Sequence, residues 1–246
     1  MKHSRKNKLT ILALALCCTG LLTLTFCSYH QAAKLAAAKV NPNPPIILDA
    51  GHGGEDGGAT GKSQLPEKDL NLAITQMLKK KLSDSGYQVI MTRDSDISLG
   101  DPKLSTIHER KTSDIHQRLA ILQGTPGAVF ISIHQNYFSE SRYSGAQIFY
   151  SKNDTQSKTL AESIRASIVN SVQPDNERQL KPATSSIYLL WHAQSPAVLV
   201  ECGFLSNDSE AKLLNDSEYQ EKIAQAIFEG INAYLTNPSD QTSSGD

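Results

Sequence analysis

The sequence predicts a single α/β domain in which a layered β-sheet carries helices on both faces. Short apolar runs typical of buried strands alternate along the chain with longer segments that have apolar residues at helical spacing. The alternation occupies about 190 residues without an internal repeat, which is the size of one domain. Apolar residues make up 39% of the chain. The composition therefore excludes a fully disordered protein.

The first elements follow from this alternation. Ile46–Ala50 is a short apolar run that ends at a glycine, and it predicts a buried strand. Lys68–Leu82 has apolar residues at helical spacing and predicts a helix. Tyr87–Thr92 predicts the second strand. The polar segment Asp94–Thr112 shows no clear period and predicts a long loop.

The later elements repeat the pattern. Helices are predicted at Ser113–Leu122, Asp154–Val172, Asp208–Leu214 and Tyr219–Leu235. Strands are predicted at Val129–Ile133, Ala146–Tyr150, Ile187–Leu190 and Ala197–Val200. In sheets of this kind, functional sites gather at the carboxyl ends of the strands.

The segments outside this domain predict export. Leu9 to Cys27 carries no charge and follows four basic residues, which is typical of a signal peptide or a retained membrane anchor over residues 1–28. Residues 29–45 are rich in Ala and Pro and predict a tether, and the polar residues 237–246 predict a disordered tail. We therefore expect the folded domain, residues 46–236, to act outside the cytoplasm.

The overall charge argues against a nucleic-acid partner. Lys and Arg number 24, Asp and Glu number 25, and the formal net charge is −1. Nucleic-acid-binding domains usually carry a basic excess, and this chain has none. The expected membrane contact is made by the N-terminal segment alone.

Three predicted strands are followed by residues that could bind a metal. His52 follows the first strand, His134 the third and Glu201 the last, and Glu67 stands at the start of the first helix. Two histidines and one carboxylate with an open fourth position are typical of a hydrolytic zinc site. A second carboxylate would then serve as a proton shuttle. The residues alone do not decide which of the two glutamates is the ligand.

The glycine-rich loop around His52 raises the alternative of a nucleotide-binding loop. Residues 61–63, Gly-Lys-Ser, resemble the end of a phosphate-binding loop. However, the first required glycine is replaced by Asp56, and Pro66 follows where the helix should already have begun. The sequence therefore argues against nucleotide binding.

Cys202 raises the alternative of a cysteine hydrolase. Its neighbour Glu201 disfavours a thiolate, and strand alternation turns the two side chains to opposite faces. Cys202 is therefore predicted to be a buried packing residue. Solvated or structural roles are predicted for the other histidines of the predicted domain, which are His108, His116 and His192.

Four segments occur in order along the domain and resemble one known family. They are ILDAGHGG at 47–54 with Asp56, Gly57 and Ala59, then EKDLNL at 67–72, SIHQN at 132–136 and VLVECGFLSN at 198–207. Together they resemble the motifs of the zinc-dependent N-acetylmuramoyl-L-alanine amidases of the amidase-3 family. The resemblance covers about residues 45 to 236, which is the whole predicted domain.

The resemblance implies a fold, a reaction and a site. The fold would be a mixed, mostly parallel sheet flanked by helices. The reaction would be hydrolysis of the amide between the lactyl group of N-acetylmuramic acid and L-alanine in peptidoglycan. His52, Glu67 and His134 match the ligands of one Zn²⁺ per chain, Glu201 matches the catalytic glutamate, and Arg118 matches an arginine of the helix before the third strand. No substrate-binding residue is implied.

Within the family, the membrane-targeted N-terminus, the polar segment Asp94–Thr112 and the lack of a wall-binding module resemble the spore-cortex amidases of the germination-specific CwlD type. That resemblance implies a role in forming muramic-δ-lactam, with a muramic acid deacetylase and an accessory protein as partners. It also implies a location in the forespore intermembrane space. Alternatives are a wall-turnover or cell-separation amidase, a metallopeptidase, and an inactive wall-binding protein of the same fold.

Overall fold

The computed structural model describes residues 43–60 and 65–236. The expected signal peptide or anchor, most of the expected tether and the expected tail lie outside the described residues. No helix in the described part of the chain combines the length and hydropathy that a membrane span requires.

The described chain forms one six-stranded sheet with helices on both faces, which confirms the predicted α/β class. The strands are β1 (Ile46–Ala50), β2 (Val89–Met91), β3 (Val129–Asn136), β4 (Gln147–Tyr150), β5 (Lys181–Pro182) and β6 (Ala197–Phe204). The helices are α1 (Glu67–Asp84), α2 (Ile107–Gln123), α3 (Gln156–Ser171), α4 (Tyr188–His192), α5 (Asp208–Leu214) and α6 (Ser217–Thr236).

The sheet is mixed and mostly parallel. Its strand order is β2-β1-β3-β6-β4-β5. All neighbours are parallel except β4 and β6, which run antiparallel. Because β1, β3 and β6 are adjacent and parallel, their carboxyl ends meet at one edge of the sheet.

Alternation along the strands divides the core between the two faces of the sheet. Ile46 and Leu48 of β1 belong to the larger core, which α1, α3 and α6 cover. Ile47 of β1 belongs to the smaller core, together with buried leucines of α2 and α4. The same alternation places Asp49 on the second face, where it lies below the site described next.

One predicted strand is a helix in the structure. Ile187–Leu190 is not a strand: α4 occupies Tyr188–His192, and its Leu189 and Leu190 pack on the second face. A short apolar run does not distinguish a strand from a helical turn, because either element can bury its apolar residues. The strand that does form shortly before this segment is β5. Its two residues, Lys181 and Pro182, are exposed and show no apolar pattern that could have predicted a strand.

The predicted loop Asp94–Thr112 is too long. Helix α2 begins at Ile107, six residues before the predicted start. Thr106 caps it, since its hydroxyl accepts a hydrogen bond from the Glu109 amide at 3.1 Å while the Glu109 carboxylate accepts one from the Thr106 amide at 2.9 Å. This capping box starts a polar, largely exposed turn that has no apolar period to reveal it.

Candidate metal centre

His52 lies in the tight loop that follows β1. Its backbone has φ 62°, which lies in the left-handed region that residues other than glycine seldom adopt. The ring is held on both sides: Nδ1 lies 2.8 Å from Asp56 Oδ2, and Nε2 lies 3.2 Å from Glu67 Oε2. Burial alone would lower the pKa of His52, but the hydrogen bonds to Asp56 and Glu67 raise it to about 9.

Glu67 is the first residue of α1, and its buried carboxylate points at both histidines. Oε1 lies 2.9 Å from His134 Nδ1 and accepts a hydrogen bond from the Gln135 amide at 3.1 Å. Oε2 accepts one from the Ala59 amide at 2.8 Å. Burial opposes ionisation, but the contacts with His134 and His52 hold the pKa of Glu67 far below its usual value. Both carboxylate oxygens are therefore engaged.

His134 lies in β3, two residues from its end, and not beyond the strand. Its ring packs edge-on against that of His52, with 5.0 Å between the centroids. The ring also covers Gly51: a Cβ there would overlap the Cε1 and Nε2 atoms of His134. The glycine after β1 is thus what makes room for this imidazole.

The structure brings together the three residues that the sequence proposes as ligands. One ligand atom from each of His52, Glu67 and His134 lies within 4.8 Å of the others. Gly58 closes this cluster from the loop side with φ 67°, and a Cβ at that position would lie 2.6 Å from Glu67 Oε2. The absence of a Cβ at Gly51 and Gly58 therefore lets the backbone approach the cluster closely.

Glu201 lies beside this cluster but is held differently. It pairs in register with His134 across β3 and β6. Its Oε2 is buried and has no hydrogen-bond partner among the described residues. Burial raises the pKa of Glu201 to about 7, although the nearby His134 opposes the shift. Together with His134, Glu201 lines a cavity of about 380 Å³ between the sheet and α4.

A buried arginine fixes the loop that carries His52. Arg118 of α2 donates hydrogen bonds to Asp49 Oδ1 at 2.6 Å, to the Ala50 carbonyl at 2.8 Å and to the His52 carbonyl at 2.7 Å. Asp49 also accepts hydrogen bonds from Ser132 and Thr92. Sequence reasoning marked Arg118 only by resemblance. No role was predicted for Asp49, because it lies within an apolar strand.

The other candidate residues lie outside the centre. Cys202 is fully buried in the larger core, on the face opposite Glu201, and burial raises the pKa of its thiol. The prediction of a packing role is confirmed. His116 and His192 both pack against the Tyr188 ring and do not belong to the cluster of His52, Glu67 and His134.

Comparisons with known proteins agree with this geometry. Residues 46–233 match the family described as N-acetylmuramoyl-L-alanine amidase. The germination-specific N-acetylmuramoyl-L-alanine amidase of Bacillus subtilis (strain 168) is 37% identical over 199 residues, which is 79% of this chain and 81% of that protein.

Solved structures show the same fold. The CwlD amidase from Clostridioides difficile, solved in complex with the GerS lipoprotein, has a TM-score of 0.76 and 46% identity over 78% of this chain and 98% of that one. The amidase AmiC2 of Nostoc punctiforme has a TM-score of 0.66 and 29% identity over 79% of this chain and 98% of that one. The chain therefore belongs to the N-acetylmuramoyl-L-alanine amidase family.

Proposed function

We propose that this chain is a zinc-dependent amidase that cleaves the bond between N-acetylmuramic acid and L-alanine in peptidoglycan. The observation that carries the proposal is the convergence of His52, Glu67 and His134 beside the unpartnered carboxylate of Glu201. Family membership supplies the substrate class.

The donor set fits zinc. Two imidazole nitrogens and one carboxylate oxygen are the ligands of many hydrolytic zinc sites. The contact of His52 with Asp56 is typical of zinc-bound histidines, whose second nitrogen usually bonds a carboxylate. We propose that His52, Glu67 and His134 hold one Zn²⁺. Zinc bound there would polarise the scissile carbonyl and acidify water.

We assign proton transfer to Glu201. Both carboxylate oxygens of Glu67 already contact histidines and accept hydrogen bonds from backbone amides. Oε2 of Glu201 has no hydrogen-bond partner among the described residues and is therefore available to a substrate. In this role Glu201 takes a proton from the attacking water and gives it to the leaving amine of L-alanine. Burial raises the pKa of Glu201 above its usual value, which favours its taking up a proton from the attacking water.

Metal analysis and kinetics of purified variants test these roles. His52→Ala and His134→Ala should lose zinc and activity together. Glu201→Gln should keep zinc and lose about 10²–10⁴-fold in kcat. Glu162→Gln, an exposed carboxylate of α3, is the matched control and should behave like the wild type. If Glu201→Gln stripped the metal while Glu67→Gln retained it, the two glutamates would have exchanged roles.

Product analysis separates the amidase from its alternatives. An amidase releases intact stem peptides that begin with L-alanine from purified peptidoglycan. A metallopeptidase would release shortened stems, and an inactive wall-binding protein would release nothing. Mass spectrometry of the soluble products distinguishes these three results, and we expect the first.

We further propose that the enzyme acts in spore cortex maturation. The germination-specific amidase of Bacillus subtilis and the CwlD amidase of Clostridioides difficile support this role. Spores of a deletion strain should lack muramic-δ-lactam and stall in germination, while vegetative growth stays normal. Normal lactam content, or cells growing as unseparated chains, would favour wall turnover instead.

The same proposal includes location and partners. Residues 1–28 would export the chain and hold it at the membrane or be cleaved, 29–45 would tether the domain, and 237–246 would form a tail. A muramic acid deacetylase would act on the product, and an accessory protein is suggested by the CwlD–GerS complex. Cell fractionation and N-terminal sequencing of the mature chain test export and cleavage. An active, full-length form of the protein in the cytoplasmic fraction would contradict export.

A further inference from the structure

A groove of about 260 Å³ lies next to the candidate metal centre on the second face of the sheet. Its floor includes Gln147 and Phe149 of β4, which pair in register with Glu201 and Leu199 of β6. Directly paired residues of neighbouring strands share a face, so Gln147 is the same-face neighbour of Glu201. A substrate held at Glu201 therefore reaches this groove by crossing one strand.

The groove carries two cations. Arg178 and Lys181 line it, and no carboxylate within residues 43–60 and 65–236 forms an ion pair with either. Glu210 acts electrostatically with Arg178, but its two oxygens already accept hydrogen bonds from the Gly145 and Phe204 amides, each at 2.8 Å. Neither cation is therefore engaged in an ion pair among the described residues, and both remain available to a ligand.

Arg178 is held in a fixed orientation. Its guanidinium lies 4.4 Å over the Phe204 ring and 5.6 Å from that of Tyr143. Nε donates to the Ser144 carbonyl at 2.7 Å, and Nη1 donates to Gln147 Oε1 at 3.4 Å. These bonds within the described chain leave the Nη2 group unused. A stacked, oriented guanidinium is well suited to bind a planar carboxylate.

We propose that this groove binds a carboxylate of the stem peptide, with Arg178 and Lys181 as its binding residues. The inference rests on the proposed function and names the part of the substrate that the site reads. The glycan side of the scissile bond is built of neutral amides and hydroxyls, whereas an acidic peptide carries the charge that complements two cations. The aromatic walls would cover the aliphatic part of the same peptide.

The test compares two muropeptides: a disaccharide tetrapeptide with free carboxylates and the same molecule with those carboxylates amidated. The wild type should cleave the free acid with a kcat/KM at least about tenfold higher, since a charged hydrogen bond contributes about 1.5–3 kcal/mol. Lys181→Gln should remove most of this preference by raising KM for the free acid. In this variant the ratio of kcat/KM on the free acid to kcat/KM on the amidated substrate should approach one.

Lys181→Gln is the decisive variant because Lys181 is exposed. Arg178→Gln should act in the same direction, with its thermal unfolding midpoint measured to confirm folding. Lys80→Gln, an exposed lysine of α1, is the control and should keep the wild-type preference. Retention of the preference in Lys181→Gln, or equal cleavage of both substrates by the wild type, would overturn the inference alone. Cleavage of neither would overturn the proposed function as well.

Discussion

Asp56 orients His52, and its spacing along the chain is a signal that sequence reasoning passed over. It lies four residues after the histidine and bonds Nδ1 at 2.8 Å, while its other oxygen pairs with Lys111 at 2.7 Å. A carboxylate that fixes a histidine in this way also fixes which nitrogen is available to a metal.

We expect Asp56→Asn to weaken zinc affinity by about 10–100-fold, as is typical when such a supporting carboxylate is lost. Activity at saturating zinc should recover most of its wild-type value, because the three ligands remain. Zinc titration against a competing chelator measures the effect. Glu55→Gln is the matched control: Glu55 pairs with Arg110 and touches no ligand. Equal affinities of the Asp56 variant and the wild type would contradict this role.

Asp49 makes folding sensitive to acid. Burial would raise the pKa of Asp49, but Arg118 and the hydroxyls of Ser132 and Thr92 outweigh it and lower the pKa to about 2. In the unfolded chain the value is about 3.9. The folded-state pKa is the lower one, so Asp49 stabilises the fold above about pH 4, and this contribution is lost as the pH falls towards 2.

Asp49→Asn should therefore lower the free energy of unfolding at pH 7 by about 3–5 kcal/mol, because it leaves Arg118 buried without its anion. The difference from the wild type should shrink at pH 3 and below. Urea unfolding at pH 7 and pH 3 gives both numbers. Asp84→Asn removes an exposed carboxylate paired with Lys80 and should change little at either pH. A pH-independent difference would show that charge is not the cause.

At the scale of the element, α2 is the support of the candidate centre. It carries Arg118, and its first turn is held by the capping box of Thr106 and Glu109. Thr106→Ala should destabilise the domain by about 1 kcal/mol in urea unfolding, as the loss of an N-cap usually does. Thr112→Ala, in the middle of the same helix, is the control and should cost far less. Equal losses would argue against the cap.

The elements also show what sequence patterns can predict. The buried runs of β1, β3 and β6 and the amphipathic stripes of α1 and α6 depend on local burial, which periodicity reports directly. The mistaken strand at Ile187–Leu190 and the predicted start of α2, which is six residues too late, have other causes. In the first, helix and strand bury the same short run, and in the second, a side-chain cap starts an exposed turn.

At the scale of the whole molecule, the site is a product of topology. His52, Glu67, His134 and Glu201 come from four separate segments, and the adjacency of β1, β3 and β6 brings three of them to one edge. The rule that sites gather at strand ends predicted this edge. It could not predict that His134 and Glu201 lie within their strands, or that Glu67 alone engages both histidines, since these depend on register and packing.

Because the cluster joins these segments, metal binding should stabilise the entire fold. Zinc at about 1,000 times its dissociation constant adds about 4 kcal/mol, which for a domain of this size raises Tm by about 10 °C. Calorimetry with zinc and with a chelator measures the shift. His134→Ala should show none. An unchanged Tm of the wild type on addition of zinc would contradict the site.

The edge strand β5 has a consequence of its own. It contains two residues, one of which is Pro182, and proline has no N–H to offer a further strand. At this edge of the sheet, Pro182 therefore disfavours extension by edge-to-edge pairing with a neighbouring molecule. An extended peptide that reaches this border of the domain finds no backbone ladder to join. Side chains alone must then decide which peptides bind at this edge.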